Sequence, residues 1–219
     1  GDLFNESVTL FKKVWVQGLI LQLFSILIML PFIIIFYVPY FQLVLENSSN
    51  GVMDSAALGQ ELIDAYGSSL LWIYLVMLLG SLVSYVLYLG FYRIVKQIDH
   101  GQAFVFSELF HFFKAASIGK SFGLAVTHMF ISILATLLCF LPIIYAIVPL
   151  MFLLPVFAYN SNLSTSEIVK VSFALGNKKW GIVFLTLILN GILIYVIAIV
   201  TCGLGTLFVS CFLYLPQYI

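Results

Sequence analysis

The chain has 219 residues, of which 63% are hydrophobic and 8% charged, and its nine basic residues balance nine acidic ones. A soluble domain carries roughly 25% charged residues, so this composition excludes a water-soluble fold. The balanced net charge says nothing about partners, and we expect no nucleic-acid partner. The apolar runs are long and do not alternate with polar residues, which favours an all-α integral membrane protein over a barrel of strands.

Six apolar segments predict six transmembrane helices in one transmembrane domain, residues 1–219. In chain order they lie at about residues 14–43, 69–95, 121–140, 142–159, 180–202 and 204–219. The fourth and sixth segments are short for a bilayer crossing. The fourth also carries Pro142, Pro149 and Pro155, and proline interrupts the helical hydrogen-bond ladder. We expect a loop at Pro142 followed by a bent helix, with a kinked, cavity-lining element as the alternative.

The charges divide between the two ends of these spans. All nine basic residues fall at one end: Lys12, Lys13, Arg93, Lys96, Lys114, Lys120, Lys170, Lys178 and Lys179. The loop at residues 44–68 carries four acidic residues and no basic one. Because basic loops stay in the cytoplasm, we expect both termini to be cytoplasmic and the acidic loop to lie outside.

Parts of the sequence recur at a fixed spacing. Glu108 and Glu167, Lys120 and Lys179, and Tyr159 and Tyr218 are each 59 residues apart. The spacing predicts internal repeats at about residues 107–160 and 166–219, with a looser copy at about 2–95. Each copy is expected to be a helical hairpin preceded by a short amphipathic helix, so that the chain forms three hairpins.

The short helices have an apolar face and capping signals. Phe106, Leu109, Phe110 and Phe113 form one stripe at helical spacing. Ser107 is expected to cap this helix, and Ser164 with Glu167 has capping-box spacing. We expect helices lying in the membrane interface, in preference to simple extensions of the spans. The side chains expected to anchor the chain at the interface are Lys12, Lys13, Arg93, Lys96, Phe106, Phe110, Phe113, Lys114, Lys178, Lys179 and Trp180.

A looser pattern joins the second span to the middle short helix. It is a glycine, an aromatic residue and an arginine, then about ten residues with a glycine, then a Phe-rich stretch ending in lysine. Here these are Gly90, Tyr92, Arg93, Gly101 and the segment 106–114. The chain thereby resembles a family of bacterial multi-pass membrane proteins of unknown function, similar in layout to the membrane domain of glycerophosphodiester phosphodiesterases. The resemblance implies six membrane helices, a bacterial inner-membrane location and no established activity.

Residues with the chemistry for catalysis or metal binding are sparse. His100 and His111 lie in one connector, but Gly101 interrupts any helix between them. No nucleophile elbow, phosphate-binding loop or zinc-protease motif occurs in the sequence, so we expect no enzyme, metal or cofactor. The strongest polar side chains inside the spans are Gln22, His128 and Asn190. They are expected to make interhelical hydrogen bonds, with a polar cavity for a headgroup or small solute as the alternative.

Three functional hypotheses follow from the sequence. The favoured one is a non-enzymatic accessory or assembly subunit that binds a larger membrane protein complex within the lipid bilayer. The alternative is a transporter or lipid-handling protein with a polar cavity between its repeats. The absence of Asp, Glu, Lys and Arg from the middle of the spans disfavours an ion-coupled transporter. An intramembrane enzyme is the least favoured, because the sequence lacks a nucleophile–base pair or ligand set.

Overall fold

The computed structural model describes residues 2–49, 55–138, 141–210, 212 and 215. These residues form helices and short connections, and no strand occurs among them. A short 3-10 helix at Phe106–Phe113, which we call the connector helix, lies between α3 and α4. The α-helices are α1 (Asp2–Ser49), α2 (Ser55–Tyr66), α3 (Leu70–Asp99), α4 (Ala115–Leu137), α5 (Leu141–Met151), α6 (Leu153–Tyr159), α7 (Thr165–Val200) and α8 (Thr206–Val209).

Five helical segments of the described chain are long and apolar enough to cross a membrane. They are Asn5–Glu46, Leu70–Asp99, Ala115–Leu137, Pro142–Tyr159 and Thr165–Val200. The all-helical class and the first five predicted spans are therefore confirmed. The sixth predicted span, residues 204–219, begins with α8 but falls largely outside the described residues. It stays a prediction, as do the three-hairpin arrangement, the repeats and the orientation.

The predicted short helices are found as a separate element in the middle copy alone. In the first and third copies the corresponding residues continue without a break into α1 and α7, so the prediction of separate helices there is wrong. At 1.5 Å per residue α1 is about 70 Å long and α7 about 54 Å, whereas the hydrocarbon layer is about 30 Å thick. These helices are long enough to extend beyond the bilayer without a break.

The capping predictions have opposite outcomes. Ser164 and Glu167 form the predicted capping box at the start of α7. The backbone N–H of Glu167 donates to Ser164 Oγ at 3.4 Å, and the Ser164 N–H donates to Glu167 Oε2 at 2.8 Å. The prediction for Ser107 is wrong, because the connector helix starts one residue earlier and its N-cap is Val105, which has no side-chain acceptor.

The chain divides into two compact units, one comprising residues up to Leu23 and from Tyr85 onward, the other Phe24–Ser84. In the second unit the Tyr66 hydroxyl donates to the Phe36 carbonyl oxygen at 2.5 Å, and the two rings stack with centroids 5.2 Å apart. In the first unit the core is built around α5 and α6. Of the apolar window in Pro142–Tyr159, 61% is buried, and the rings of Phe112 and Phe157 meet there at 4.9 Å.

Proline makes the fourth span irregular, as the sequence predicts. The span divides at Phe152 into α5 and α6. Pro149 has no N–H, so the Tyr145 carbonyl four residues earlier lacks its usual helical donor. The indole N–H of Trp180 on α7 donates to that oxygen at 3.0 Å. An unpaired carbonyl is costly in a membrane, so Trp180 replaces the hydrogen bond that the proline removes.

The same region of α5 and α7 is closely packed. The Tyr145 hydroxyl donates to Asn177 Oδ1 at 2.5 Å. A Cβ on Gly176 would lie 2.6 Å from the Cα of Pro149, so glycine is required for the backbones to approach this closely. The two helices are thus joined by packing and by two hydrogen bonds within about one helical turn.

Candidate functional site

The connector helix is attached to α3 by a close backbone contact. A Cβ on Gly90 would lie 2.0 Å from the Leu109 carbonyl oxygen, so only glycine permits this approach. One turn further along α3, Arg93 Nε donates to Glu108 Oε2 at 2.5 Å. The glycine and arginine of the sequence pattern therefore have local roles: the glycine makes room for the connector helix and the arginine binds its carboxylate.

The carboxylate of Glu108 also faces His111. The distance from His111 Nδ1 to Glu108 Oε2 is 3.4 Å. Partial burial favours the neutral carboxyl, but the hydrogen bond and charge of Arg93 outweigh it and hold the pKa of Glu108 below its usual range. Partial burial, with the positive charges of Arg93 and Lys114, lowers the pKa of His111 despite the opposing effect of Glu108. The histidine is therefore held toward its neutral form.

The aromatic stripe of the connector helix divides between two environments. Leu109 and Phe112 are buried in the protein, each 1% exposed. Phe106 and Phe110 are 37% and 38% exposed, and Phe113 is intermediate. A 3-10 helix repeats every three residues, which brings Leu109 and Phe112 to the same face. The interfacial role predicted for Phe106, Phe110 and Phe113 stays a prediction.

A cleft of about 510 Å³ opens where the start of α1 meets the ends of α3 and α6. It is lined by Asn5, Glu6, Thr9, Leu10, Lys13, Asp99 and Tyr159. The Nζ of Lys96 lies 4.4 Å from the centroid of the Tyr159 ring. The cleft therefore brings together carboxylates, an amide, hydroxyls and an ammonium group, with a second ammonium group at its edge.

The remaining predicted interface lysines are mostly exposed. Lys12, Lys114, Lys178 and Lys179 are open to the surroundings. Lys120 donates to the Ser161 carbonyl oxygen at 2.7 Å, which links the start of α4 to the turn before α7. Lys178 and Lys179 lie elsewhere on α7, next to Trp180, which contacts Tyr145 near the start of α5.

The three predicted intramembrane polar side chains have separate surroundings. Gln22 Oε1 accepts a hydrogen bond from Ser210 Oγ at 3.4 Å. The His128 ring lies 5.2 Å from that of Tyr85. Asn190 is 2% exposed, and its Nδ2 has no hydrogen-bond partner in the described part of the chain. No hydrogen bond joins any two of the three, and the interhelical hydrogen bonds expected for them stay predictions.

Sequence reasoning missed the cleft and the pairing of α5 with α7. Asn5 and Glu6 are far from Asp99 and from Tyr159 in the chain, and no spacing rule connects the three places. The pairing did have a signal, because a proline within a span leaves a carbonyl without a donor. A Trp on a neighbouring span is one of few side chains able to supply that N–H.

Among the described residues no group of three or more His, Cys, Asp or Glu side chains is placed to hold a metal ion. Comparison of the chain with protein-family models, curated proteins and solved structures finds no match. The functional argument therefore depends on the geometry of the chain itself.

Proposed function

We propose that this chain is a non-enzymatic accessory or assembly subunit that binds a larger membrane protein complex in the bacterial inner membrane. The observation that carries the proposal is the exposure of α7. Of its apolar window 11% is buried, against 61% for Pro142–Tyr159. From Gly191 to Val200 no side chain is buried, and Ile192, Tyr195 and Ile199, which share one face at i, i+3 and i+7, are more than half exposed.

Such a surface is suited to a helix of another membrane protein. Helices associate in lipid through close packing, and small residues promote it. On α7, Gly181 and Gly191 have no atom within 4 Å of the position a Cβ would take, so the backbone is open to an approaching helix. The transporter alternative has less support, because the contacts described for Gln22, His128 and Asn190 are with different partners and no hydrogen bond joins any two of them.

The proposal is tested by photo-crosslinking in native membranes. A photoreactive amino acid is placed at Ile192, Tyr195 or Ile199, and at the buried Val183 of the same helix as a matched control. We expect the three exposed positions to give one protein adduct of defined mass, identified by mass spectrometry, and Val183 to give none. Lipid adducts alone at all three exposed positions would refute a protein partner on this surface.

We also propose that the basic ends of the helices face the cytoplasm. In support, the basic ends of α1 and α3 meet at the cleft, and Lys120 joins α4 to the turn before α7. The acidic loop at residues 44–68 would then lie outside. In a background without native cysteines, Lys12→Cys, an exposed position at the cleft end of α1, should be protected from an impermeant thiol reagent in intact cells, whereas Asp64→Cys should react. The reverse labelling pattern would overturn the orientation.

The connector helix is proposed to anchor the chain at the headgroups through its exposed Phe side chains. Replacing Phe106 and Phe110 by Ser removes apolar surface that is already exposed, so we expect less protein in the membrane fraction but an unchanged fold in the protein that does insert. Ser at Val105, which is 66% exposed, is the matched control. Equal membrane levels of all three proteins would contradict the anchoring role.

A further inference from the structure

We propose that the cleft between α1, α3 and α6 binds the headgroup of a phospholipid that carries both a phosphate and a primary ammonium group. This inference does not rest on the accessory role proposed above. It rests on the charges of the cleft, its position along the helices and the chemistry of its lining.

The charges of the cleft are of both signs. Glu6 and Asp99 contribute two carboxylates, Lys13 contributes one ammonium group, and Lys96 places a second at the edge, over the ring of Tyr159. A simple anion would meet both carboxylates, and a simple cation would meet both ammonium groups. A zwitterion is attracted by both sets at once, with its phosphate toward the lysines and its ammonium toward the carboxylates.

The position of the cleft corresponds to the headgroup layer. Asp99 and Tyr159 are the last residues of two membrane-spanning segments. Lys13 directly precedes the long apolar run of α1, and lysines at such boundaries reach the phosphate level. Leu10, which is 4% exposed, gives the cleft an apolar wall. A lipid can therefore place its headgroup among the charges while its chains remain in the bilayer.

The lining favours a primary ammonium over a trimethylammonium group. A primary ammonium donates three hydrogen bonds, which Glu6 and Asp99 can accept. Trimethylammonium donates none and is usually recognised by open aromatic faces. One face of the aromatic ring in the cleft, that of Tyr159, is already covered by Lys96. Ethanolamine phospholipid is therefore expected to bind in preference to choline phospholipid.

The test is native mass spectrometry of the full chain released from nanodiscs. The nanodiscs contain equal amounts of ethanolamine, choline and glycerol phospholipids with identical acyl chains. One charge-assisted hydrogen bond is worth about 1.5–3 kcal/mol, which is at least about tenfold in affinity. We expect one ethanolamine lipid to be retained at about tenfold over the choline lipid. Equal retention of the three lipids would overturn the proposal.

Variants locate the binding at the cleft. Lys13→Gln and Glu6→Gln change exposed side chains, so the fold should survive, and each should reduce the retained ethanolamine lipid about tenfold. Lys12→Gln, one residue away and outside the cleft lining, should leave it unchanged. If only Lys12→Gln reduced the amount of retained ethanolamine lipid, the site would lie outside the cleft and the proposal would be refuted. Soluble phosphoethanolamine should displace the lipid only in large excess. Displacement at equimolar concentration would show that the cleft binds the free headgroup compound and would refute the proposal of a lipid ligand.

Discussion

Replacing Gly90 by alanine tests whether the connector helix depends on its contact with α3. The new methyl carbon would lie 2.0, 2.6 and 2.9 Å from the carbonyl oxygen, carbonyl carbon and Cα of Leu109. All three atoms belong to the backbone, so no side-chain rotation relieves the clash. Ordinary contact requires the connector helix to withdraw by more than about 1 Å. Its buried Phe112 and its ion pair to Arg93 would move with it.

The magnitude follows from two opposing effects. Overpacking of this kind costs about 1–3 kcal/mol, whereas alanine is more favourable than glycine in a helix by about 1 kcal/mol. Gly123→Ala is the matched control, because Gly123 also lies inside a helix and a Cβ there would have nothing within 4 Å. The control gains the helix preference without the clash, so the Gly90 variant should be less stable than the control by about 1–3 kcal/mol.

The assay is reversible unfolding in mixed detergent micelles titrated with dodecyl sulfate, followed by circular dichroism. The free energy of unfolding is compared between wild type, Gly90→Ala and Gly123→Ala. Equal stability of the two variants would show that the connector helix moves at no cost, and the role assigned to Gly90 would then be wrong. If Arg93→Gln lowers the stability of the wild type but not that of the Gly90→Ala variant, the glycine contact and the ion pair act together.

Two further predictions concern the hydrogen bonds of the first unit. Trp180→Phe leaves the Tyr145 carbonyl without a donor and should lower the free energy of unfolding by about 0.6–1.7 kcal/mol in the same assay. This loss of stability should be smaller in a Pro149→Ala background, where a backbone N–H is restored. An equal loss in that background would refute the idea that Trp180 replaces the hydrogen bond that the proline removes. The free energy of unfolding should also fall on acidification, because Glu108 and His111 both have lowered pKa values in the folded state. Each group therefore contributes stability that is present above its unfolded pKa and is lost as the pH falls through its folded pKa. His111→Gln should remove the part of the loss that begins below about pH 6.5, and Glu108→Gln the part below about pH 4.3; unchanged pH profiles in both variants would contradict the assigned pKa directions.

The sequence predicted those features that depend on local composition. Apolar run length located the five described spans, and the proline content of the fourth predicted that it is irregular but not that it divides at Phe152. The loop expected at Pro142 is wrong, because Pro142 lies inside α5. The capping box of Ser164 and Glu167 was also recognisable, because its two side chains are three residues apart. In each case the physical cause lies within one or two helical turns of sequence.

The predictions of separate short helices in the first and third copies were wrong because they depend on contacts with other helices. A stripe such as that of the connector helix predicts which face is apolar, but not whether the helix bends away from the next span or continues into it. That choice is made by distant residues: the middle copy has Gly90 on α3 to receive the Leu109 backbone, and such a contact is invisible in the local pattern. The first and third copies continue straight into α1 and α7.

The first unit contains two groups of polar side chains, one around Arg93, Glu108 and His111 and the other in the cleft, and they differ in geometry. Arg93 binds the carboxylate of Glu108, His111 Nδ1 lies 3.4 Å from the same carboxylate without a hydrogen bond, and the adjoining glycine contact fixes the helix that carries Glu108 and His111. This is the arrangement of a structural joint, because the ion pair and the glycine contact both join α3 to the connector helix. The cleft differs, since its charges line an open space of about 510 Å³. Ligand recognition is therefore proposed for the cleft, whereas the Phe-rich connector helix, despite its more conspicuous sequence, is proposed to anchor the chain and joins α3 through Gly90 and Arg93.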